Sequence, residues 1–327
     1  MLYNVYVNCS FPGRNFVVEL FINLLKTARP RQWVKNLSLS AALIFSGKLF
    51  HPPSFVIILW SIITFSILTS SVYFINDIVD ISKDRLHPFK KFRPIAAGKL
   101  PIPIALFFAA LGIFISFYLS INVSFFFFLA CLVYFILQII YSFYLKNLVV
   151  LDVLSIAASF ILRVYAGALV LNYHISIWFL LCVTSLALFM AVGKRRAELS
   201  LLGQEGALGH RKTLSNYSAD LLNNYLAMFS ASAWLSWSLF TFFESPPIII
   251  GPSILYSVLP LTISGTNKLL MVTIPVVIYG IMRYMSIIYQ GSRAESPERI
   301  LLSDKPLLSS VLLWGVLVVW ILYGAGV

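Results

Sequence analysis

The sequence predicts an all-α integral membrane protein with about nine transmembrane helices. Three observations carry this expectation. Of the 327 residues, 60% are hydrophobic and 11% charged, whereas a soluble domain is about 45–50% apolar and about 25% charged. The apolar residues gather in runs close to the roughly 20 residues that cross about 30 Å of hydrocarbon. The 24 Lys and Arg fall almost entirely in alternate connections between those runs, which is the asymmetry of a multi-pass chain.

The candidate runs lie at 34–50, 55–75, 101–120, 123–142, 151–171, 175–193, 220–243, 268–290 and 307–325. The first is the shortest. An open sheet edge cannot face lipid, so each run is expected to be a helix. Gly and Pro fall mostly between the runs, as turn chemistry requires. MLYNVYVNCSFPGRNFVVEL lacks the basic start, short apolar run and small-residue cleavage site of a signal peptide in that order. The first span is therefore expected to act as the insertion signal.

Nine crossings place the termini on opposite sides. With the N-terminus cytoplasmic, Lys48 and Lys268 lie outside, Arg163 and Arg283 lie within spans, and the other cations lie inside. That sets the chain in a bacterial-type inner (plasma) membrane with the C-terminus outside. The net charge of +12 is then a membrane signature, and no nucleic-acid partner is implied. Self-association is left open. The outer connection 244–267 is apolar enough to lie in the interface. Cys9, Cys131 and Cys182 are too few and too apolar in setting for a disulfide framework or thiolate metal site.

The acids follow the inner side, and the positive-inside rule does not account for them. They concentrate in NDIVDISKDRLHPFKKFRPIAAG, residues 76–98. At about 100° per residue, Asp80 falls about −60°, Asp84 about −20° and Asn76 about −100° from Asp77. All four share one stripe at the cytoplasmic mouth of the bundle, and Pro88 is expected to end the helix. Three carboxylates on one face must be neutralised. Pairing with Lys83, Arg85, Lys90, Lys91 and Arg93 is one way. The other is Mg²⁺ on Asp77, Asp80 and Asp84, since this ion takes carboxylate oxygens and shares its shell with substrate phosphates. Lys90, Lys91 and Arg93 would then hold phosphate oxygens beyond its reach. Acid stripe plus basic loop describes a site for a metal-bound diphosphate.

Two further groups stand out. On the fifth span Asp152, Ser155, Ser159 and Arg163 form a polar stripe, with Arg163 roughly 16 Å along the axis from Asp152. So deep a charge faces a cavity or a partner, either as a structural ion pair or as a phosphate ligand. Lys194 and Arg195 in GKRRAELS end the sixth span, where snorkelling, the helix dipole or phosphate binding would each explain them.

The motif NDxxDxxxD followed by RPxxxG resembles the first aspartate-rich motif of the UbiA superfamily of intramembrane prenyltransferases. HPFKKFRPIAAG is similar to one branch of it, the decaprenyl-phosphate phosphoribosyltransferases. ARPRQWVKN, YSFYLKNLVVLD, GKRRAEL, HRKTLSNYS and SPERILLSDKPLL resemble the same branch. The likeness covers residues 28–327 as a single domain, leaving 1–27 as a partly amphipathic N-terminal segment. It implies helices around a central cavity with a cytoplasmic polar site, Mg²⁺ as cofactor, phosphoribosyl pyrophosphate as donor and a polyprenyl phosphate as acceptor. It also implies catalytic roles for Asp77, Asp80, Asp84 and Asn76. Phosphate-binding roles fall on Lys35, Lys90, Lys91, Arg93, Lys146, Asp152, Arg163, Lys194 and Arg195, with Arg163 taking either the 5-phosphate or the lipid phosphate. The second acidic region departs from the ordinary superfamily pattern. It offers Asp152 alone, with Ile156 one turn later, which argues against two metals clamping a prenyl diphosphate. An aromatic prenyltransferase of the superfamily is the alternative activity, and a transporter a more distant one.

Overall fold

A computed structural model describes residues 15–87, 89–210, 216–243, 266–289 and 297–324. Among them the chain is a bundle of helices: α1 (Asn15–Ala28), a 3₁₀ segment (Pro30–Ser40), α2 (Ala41–Phe45), α3 (Pro52–Val79), α4 (Ile81–Leu86), α5 (Ile102–Val123) and α6 (Phe125–Phe143). There follow α7 (Leu151–Leu171), α8 (Ile177–His210), α9 (Ala219–Phe243), α10 (Ile274–Tyr289), α11 (Pro297–Ser303) and α12 (Lys305–Val319). Eight of the described helical stretches are long and apolar enough to span a membrane. Their outward faces carry large exposed apolar side chains such as Phe107, Phe114, Phe126, Leu312 and Val316. That is the surface lipid requires, because burial of apolar side chains in the middle of the protein is not the only apolar environment available.

The first expected run, 34–50, is not a single helix. It is the end of the 3₁₀ segment followed by the single turn and a half of α2. The segment nevertheless joins the two ends of the bundle. Arg29, just before it, pairs with Asp77 near the C-terminal end of α3. At its far end the Tyr323 hydroxyl meets the carbonyls of Leu43 and Ile44 at 3.3 and 2.6 Å, close to the start of α3. A 3₁₀ helix rises about 2.0 Å per residue against 1.5 Å for an α-helix, so this short stretch covers about 30 Å. The ninth crossing is thus made by a stretched backbone rather than a long helix.

That stretched crossing lies directly on α7. A Cβ at Gly167 would fall 1.9 Å from the Leu39 carbonyl oxygen, so only glycine admits the backbone there. Leu39, Phe65, Phe127, Tyr134 and Ala166 form the core cluster around the contact. Cys131 and Cys182 are buried free thiols. Cys9 and the connection 244–267, apart from the stretch that begins at Thr266, lie outside the described residues.

Candidate functional site

The acid stripe forms where α3 passes into α4. Asp80 is a one-residue joint with φ −91° and ψ 3°. Its N–H still donates to the Asn76 carbonyl at 2.9 Å, and the Asp84 N–H donates to its carbonyl at 2.8 Å. Helical register therefore survives the joint, which keeps Asp77, Asp80 and Asp84 together. α4 stops at Leu86 and His87 is extended, as a residue before proline prefers.

The residues downstream fold back over these acids. Ile95 and Leu100 are buried in a cluster with Phe74 and Ala105, and Arg85 donates from Nε to the Ala96 carbonyl at 3.2 Å. This return brings Arg93 Nη1 to 3.1 Å from Asp77 Oδ1 and 2.6 Å from Asp84 Oδ2. Arg29 also pairs with Asp77, and Lys146 Nζ lies 2.5 Å from Asp80 Oδ1. The Asn76 side-chain oxygen accepts from the Ser142 hydroxyl at 3.2 Å. Burial raises the Asp84 carboxyl above its ordinary value, Arg93 lowers it in part, and the neighbouring Asp77 and Asp80 charges raise it further.

A cavity of about 210 Å³ opens beside the acids. Asn76, Asp80, Asp84, Lys35, Lys90, Arg93, Lys146, Arg163 and Lys194 all line it, so most of the expected site residues meet in one place. Arg163 stands at its far end. Its guanidinium donates to the Asn36 side-chain oxygen at 2.9 Å, the Ser159 carbonyl at 2.6 Å and the Tyr134 hydroxyl at 2.9 Å. Tyr134, Phe65 and Phe160 present ring faces to it at 4.9 to 5.7 Å. No carboxylate joins it among the described ion pairs. The structural ion pair is therefore not what holds Arg163; neutral dipoles and rings hold it, and its charge faces the cavity.

Four expected residues lie elsewhere. Asp77 is 2% exposed and sits behind the lining, reaching the cavity through Arg29 and Arg93. Lys91 is on the outer surface, its Nζ 5.2 Å from the Phe92 ring centre. Asp152 and Arg195 are fully buried and face each other, with Arg195 Nε 2.6 Å from Asp152 Oδ2. The structure puts those two, expected to bind phosphate, in an ion pair behind the lining and not on the cavity wall, since two opposite charges out of water satisfy one another first. Arg195 also reaches Glu198 at 2.6 Å, and Tyr217 donates its hydroxyl to Asp152 Oδ1 at 2.9 Å. Burial pushes the Tyr217 phenol up to about 12, so it keeps the proton it donates.

The structure adds lining residues that sequence patterning missed. Arg29, Gln32, Tyr73, Gln138, Tyr141 and Glu198 all face the cavity. Glu198 on α8 gives the cavity wall a carboxylate, whereas Asp152, the single acid of the second region, is not on that wall. The spacing of Glu198 one turn from Lys194 was visible, but nothing in the sequence said which side of α8 faces inward.

The donor set suits Mg²⁺. Asp77, Asp80, Asp84 and Asn76 offer hard oxygens. Among the described residues no three His, Cys, Asp or Glu side chains sit close enough to enclose a metal by themselves. Asp77 and Asp84 nonetheless converge on one nitrogen of Arg93, so they can share a cation. An ion that takes one or two carboxylates and completes its shell with water and substrate phosphate fits such a site.

Comparison with known proteins identifies the family and the fold. The chain is 33% identical over 309 residues to the decaprenyl-phosphate phosphoribosyltransferase of Corynebacterium glutamicum, covering 92% of this chain and 86% of that one. The enzyme of the same name from Mycolicibacterium smegmatis is 33% identical over 304 residues, covering 90% and 91%. Among solved structures, a UbiA homologue from Archaeoglobus fulgidus bound to GPP and Mg²⁺ superposes with a TM-score of 0.65 at 20% identity, over 92% of this chain and 99% of that one. The model of the UbiA prenyltransferase family matches residues 37–303, and the chain belongs to that family.

Proposed function

We propose that this protein transfers 5-phosphoribose from phosphoribosyl pyrophosphate to a polyprenyl phosphate of the decaprenyl type, releasing pyrophosphate. The observation that carries the reading is a cavity with two cationic poles. One pole surrounds the acids at Arg29, Lys90, Arg93 and Lys146. The other is Arg163, with Lys35 and Lys194 adding cations elsewhere on the wall. The poles are joined along α6, from Tyr134 beside Arg163 to Ser142 beside Asn76, a distance of about 12 Å at 1.5 Å per residue. A prenyl diphosphate carries its charge at one end only. A donor with a phosphate at each end, meeting a phosphorylated acceptor, uses both poles. The phosphoribosyltransferase relatives, matched over most of both chains, support the same substrates.

Asp77, Asp80 and Asp84, with Asn76, would hold Mg²⁺, which supplies Lewis-acid stabilisation of a departing diphosphate. Arg93, Lys90 and Lys146 add positive charge where the leaving pyrophosphate gathers negative charge. The C1–O bond to pyrophosphate breaks with its electron pair leaving on oxygen, and C1 becomes oxocarbenium-like, as in glycosyl transfer. An oxygen of the acceptor phosphate then bonds to C1. That phosphate is already an anion, so the site needs no strong base. Arg163 anchors a phosphate at the far pole, and Val72, Ile156 and Phe160 give the wall apolar surface for a lipid chain. The acid end faces the cytoplasm by the positive-inside asymmetry, where a water-soluble donor arrives. The N-terminus lies on that side and the C-terminus outside.

The test is a transfer assay with purified protein in detergent, labelled phosphoribosyl pyrophosphate, decaprenyl phosphate, and Mg²⁺ or EDTA. Label moving to the organic phase with Mg²⁺ alone is the expected result. No transfer, together with product from a prenyl diphosphate and an aromatic acceptor, would replace this reading with aromatic prenylation.

A further inference from the structure

The loop that delivers Lys146 to the acids ends in a backbone conformation that its residue disfavours. Val150 has φ 70° and ψ −47°, a region that β-branched L-residues rarely enter. Its side chain is 43% exposed, so burial does not hold it there. Its N–H donates to the Tyr217 hydroxyl oxygen at 2.7 Å. Tyr217 is 1% exposed and donates its own O–H to Asp152 Oδ1 at 2.9 Å. Asp152 is in turn fixed by Arg195 at 2.6 Å. One hydroxyl thus accepts from the strained turn and donates to a buried ion pair.

Lys146 lies four residues before Val150. Lys146 sits in a single 3₁₀ turn, Leu145–Asn147, that passes through an extended Leu148 to Val150, so the two positions share one short loop. Lys146 is 5% exposed, lines the cavity and meets Asp80 at 2.5 Å.

We propose that Tyr217 is a positioning residue: its hydroxyl holds the Val150 turn and thereby sets Lys146 against Asp80 and the donor diphosphate. The assignment of a diphosphate rests on the function proposed above. The Val150 carbonyl is secured by α7, accepting from the Val153 and Leu154 N–H groups at 3.0 and 2.9 Å, and the Tyr217 hydroxyl secures the other side of the residue, its N–H. Without the hydroxyl, Val150 relaxes toward ordinary backbone angles and takes Lys146 away from the acids.

Glycine occupies positive φ without the steric cost that valine meets, and this makes the proposal testable by rescue. Tyr217→Phe keeps the ring in its core cluster with Phe189, Leu222 and Tyr284 and removes only the hydroxyl. It should weaken binding of phosphoribosyl pyrophosphate, measured by calorimetry with Mg²⁺, and lower turnover, by about tenfold or more, since a misplacement of 1 Å can cost about a hundredfold. Val150→Gly in the Tyr217→Phe background should restore both to within about threefold of Val150→Gly alone, because coupled sites are not additive. In a Lys146→Met background, Tyr217→Phe should add no further loss of donor binding. A role for Tyr217 in core stability alone predicts the reverse on each count, with losses that track the melting temperature and that glycine at position 150 does not repair. Wild-type binding and turnover in Tyr217→Phe, or additive losses in either double variant, overturn the proposal. Wild-type protein run alongside separates the two readings: if it moves no phosphoribose, the proposed function fails, whereas transfer by wild type with additive losses rejects only the role of Tyr217.

Discussion

The Arg163 guanidinium donates from Nε to the Asn36 side-chain oxygen across 2.9 Å, so the deepest charge in the cavity is aimed by the stretched crossing as well as by Ser159 of its own helix. The Asn36 amide nitrogen is itself held by the hydroxyls of Ser66 at 2.9 Å and Thr69 at 3.3 Å on α3. Replacing Arg163 with Met should leave the fold in detergent and remove the far phosphate anchor. Asn36→Leu leaves the cation present, held by Ser159 and Tyr134 but no longer by Asn36. A hydrogen bond to a charged group contributes about 1.5–3 kcal/mol, so Asn36→Leu should weaken phosphate-substrate binding about tenfold to a hundredfold, and Arg163→Met by more. Calorimetric titration with each substrate in turn checks this and shows which phosphate Arg163 takes. Unchanged affinity for both substrates in Arg163→Met would show that the charge is structural.

Asp77 and Asp80 differ in placement, and the difference is testable. Asp80 lines the cavity and meets Lys146, while Asp77 lies behind, held by Arg29 and Arg93. Substitution of either by Ala should abolish turnover. Mn²⁺ binding, followed by electron paramagnetic resonance without substrate, should fall in both variants. It should fall further in Asp80→Ala, whose carboxylate is already open to the cavity. Full activity in both variants would remove the metal assignment altogether.

How much of this was legible depended on whether a relationship lay within one helix. Asp77, Asp80 and Asp84 could be grouped from spacing because helical register survives the joint at Asp80. Arg163 could be singled out because a lone cation deep in an apolar run has few explanations. Asp152 and Arg195 sit on different helices, and spacing along a chain carries nothing about their pairing. Each therefore looked like a phosphate ligand until α7 and α8 were seen side by side. Arg29 was missed for a related reason: its partner Asp77 is 48 residues away, and the αL turn at Arg29, φ 54°, is not encoded by a glycine. The run 34–50 was read as a helix because hydropathy reports what lies in the membrane and not the rise per residue.

The pH dependence of metal binding should report Asp84. Burial raises its carboxyl above the ordinary value in the metal-free protein, and Arg93 only partly offsets this. The anionic form is the one that holds cations, so Mn²⁺ binding to the metal-free protein should rise with pH through a limb lying above the ordinary Asp range of about 3.9. Arg93→Gln removes the charge that lowers the Asp84 carboxyl, so the limb should move to still higher pH. The sign for stability is opposite to that of an acid whose carboxyl is lowered on folding, because burial outweighs the Arg93 ion pair. Between the ordinary and the raised values the folded protein holds the Asp84 proton more tightly than the unfolded chain. The Asp84 contribution to stability therefore falls as pH rises through that window. A limb that stays in place or moves to lower pH in Arg93→Gln would reject this account.

The contact between Gly167 and Leu39 gives the strongest prediction about the crossing. A Cβ at Gly167 meets the Leu39 carbonyl oxygen at 1.9 Å, and the atoms behind it are also backbone, so no rotamer change relieves the clash. Gly112 offers the control. A Cβ there meets the Ser71 hydroxyl oxygen at 2.2 Å, and that side chain can turn away. Overpacking costs about 1–3 kcal/mol, occasionally more, and Gly167→Ala should lie at the upper end, well above Gly112→Ala. The displaced backbone also carries Lys35 and Asn36, so the apparent KM for substrate should rise in Gly167→Ala and stay near wild type in Gly112→Ala. Melting temperatures in detergent and initial rates measure both effects. If Gly167→Ala melts with the wild type and keeps its KM, the stretched crossing is not seated on α7 through this contact, and Asn36 must be held against Arg163 by its bonds to α3 alone.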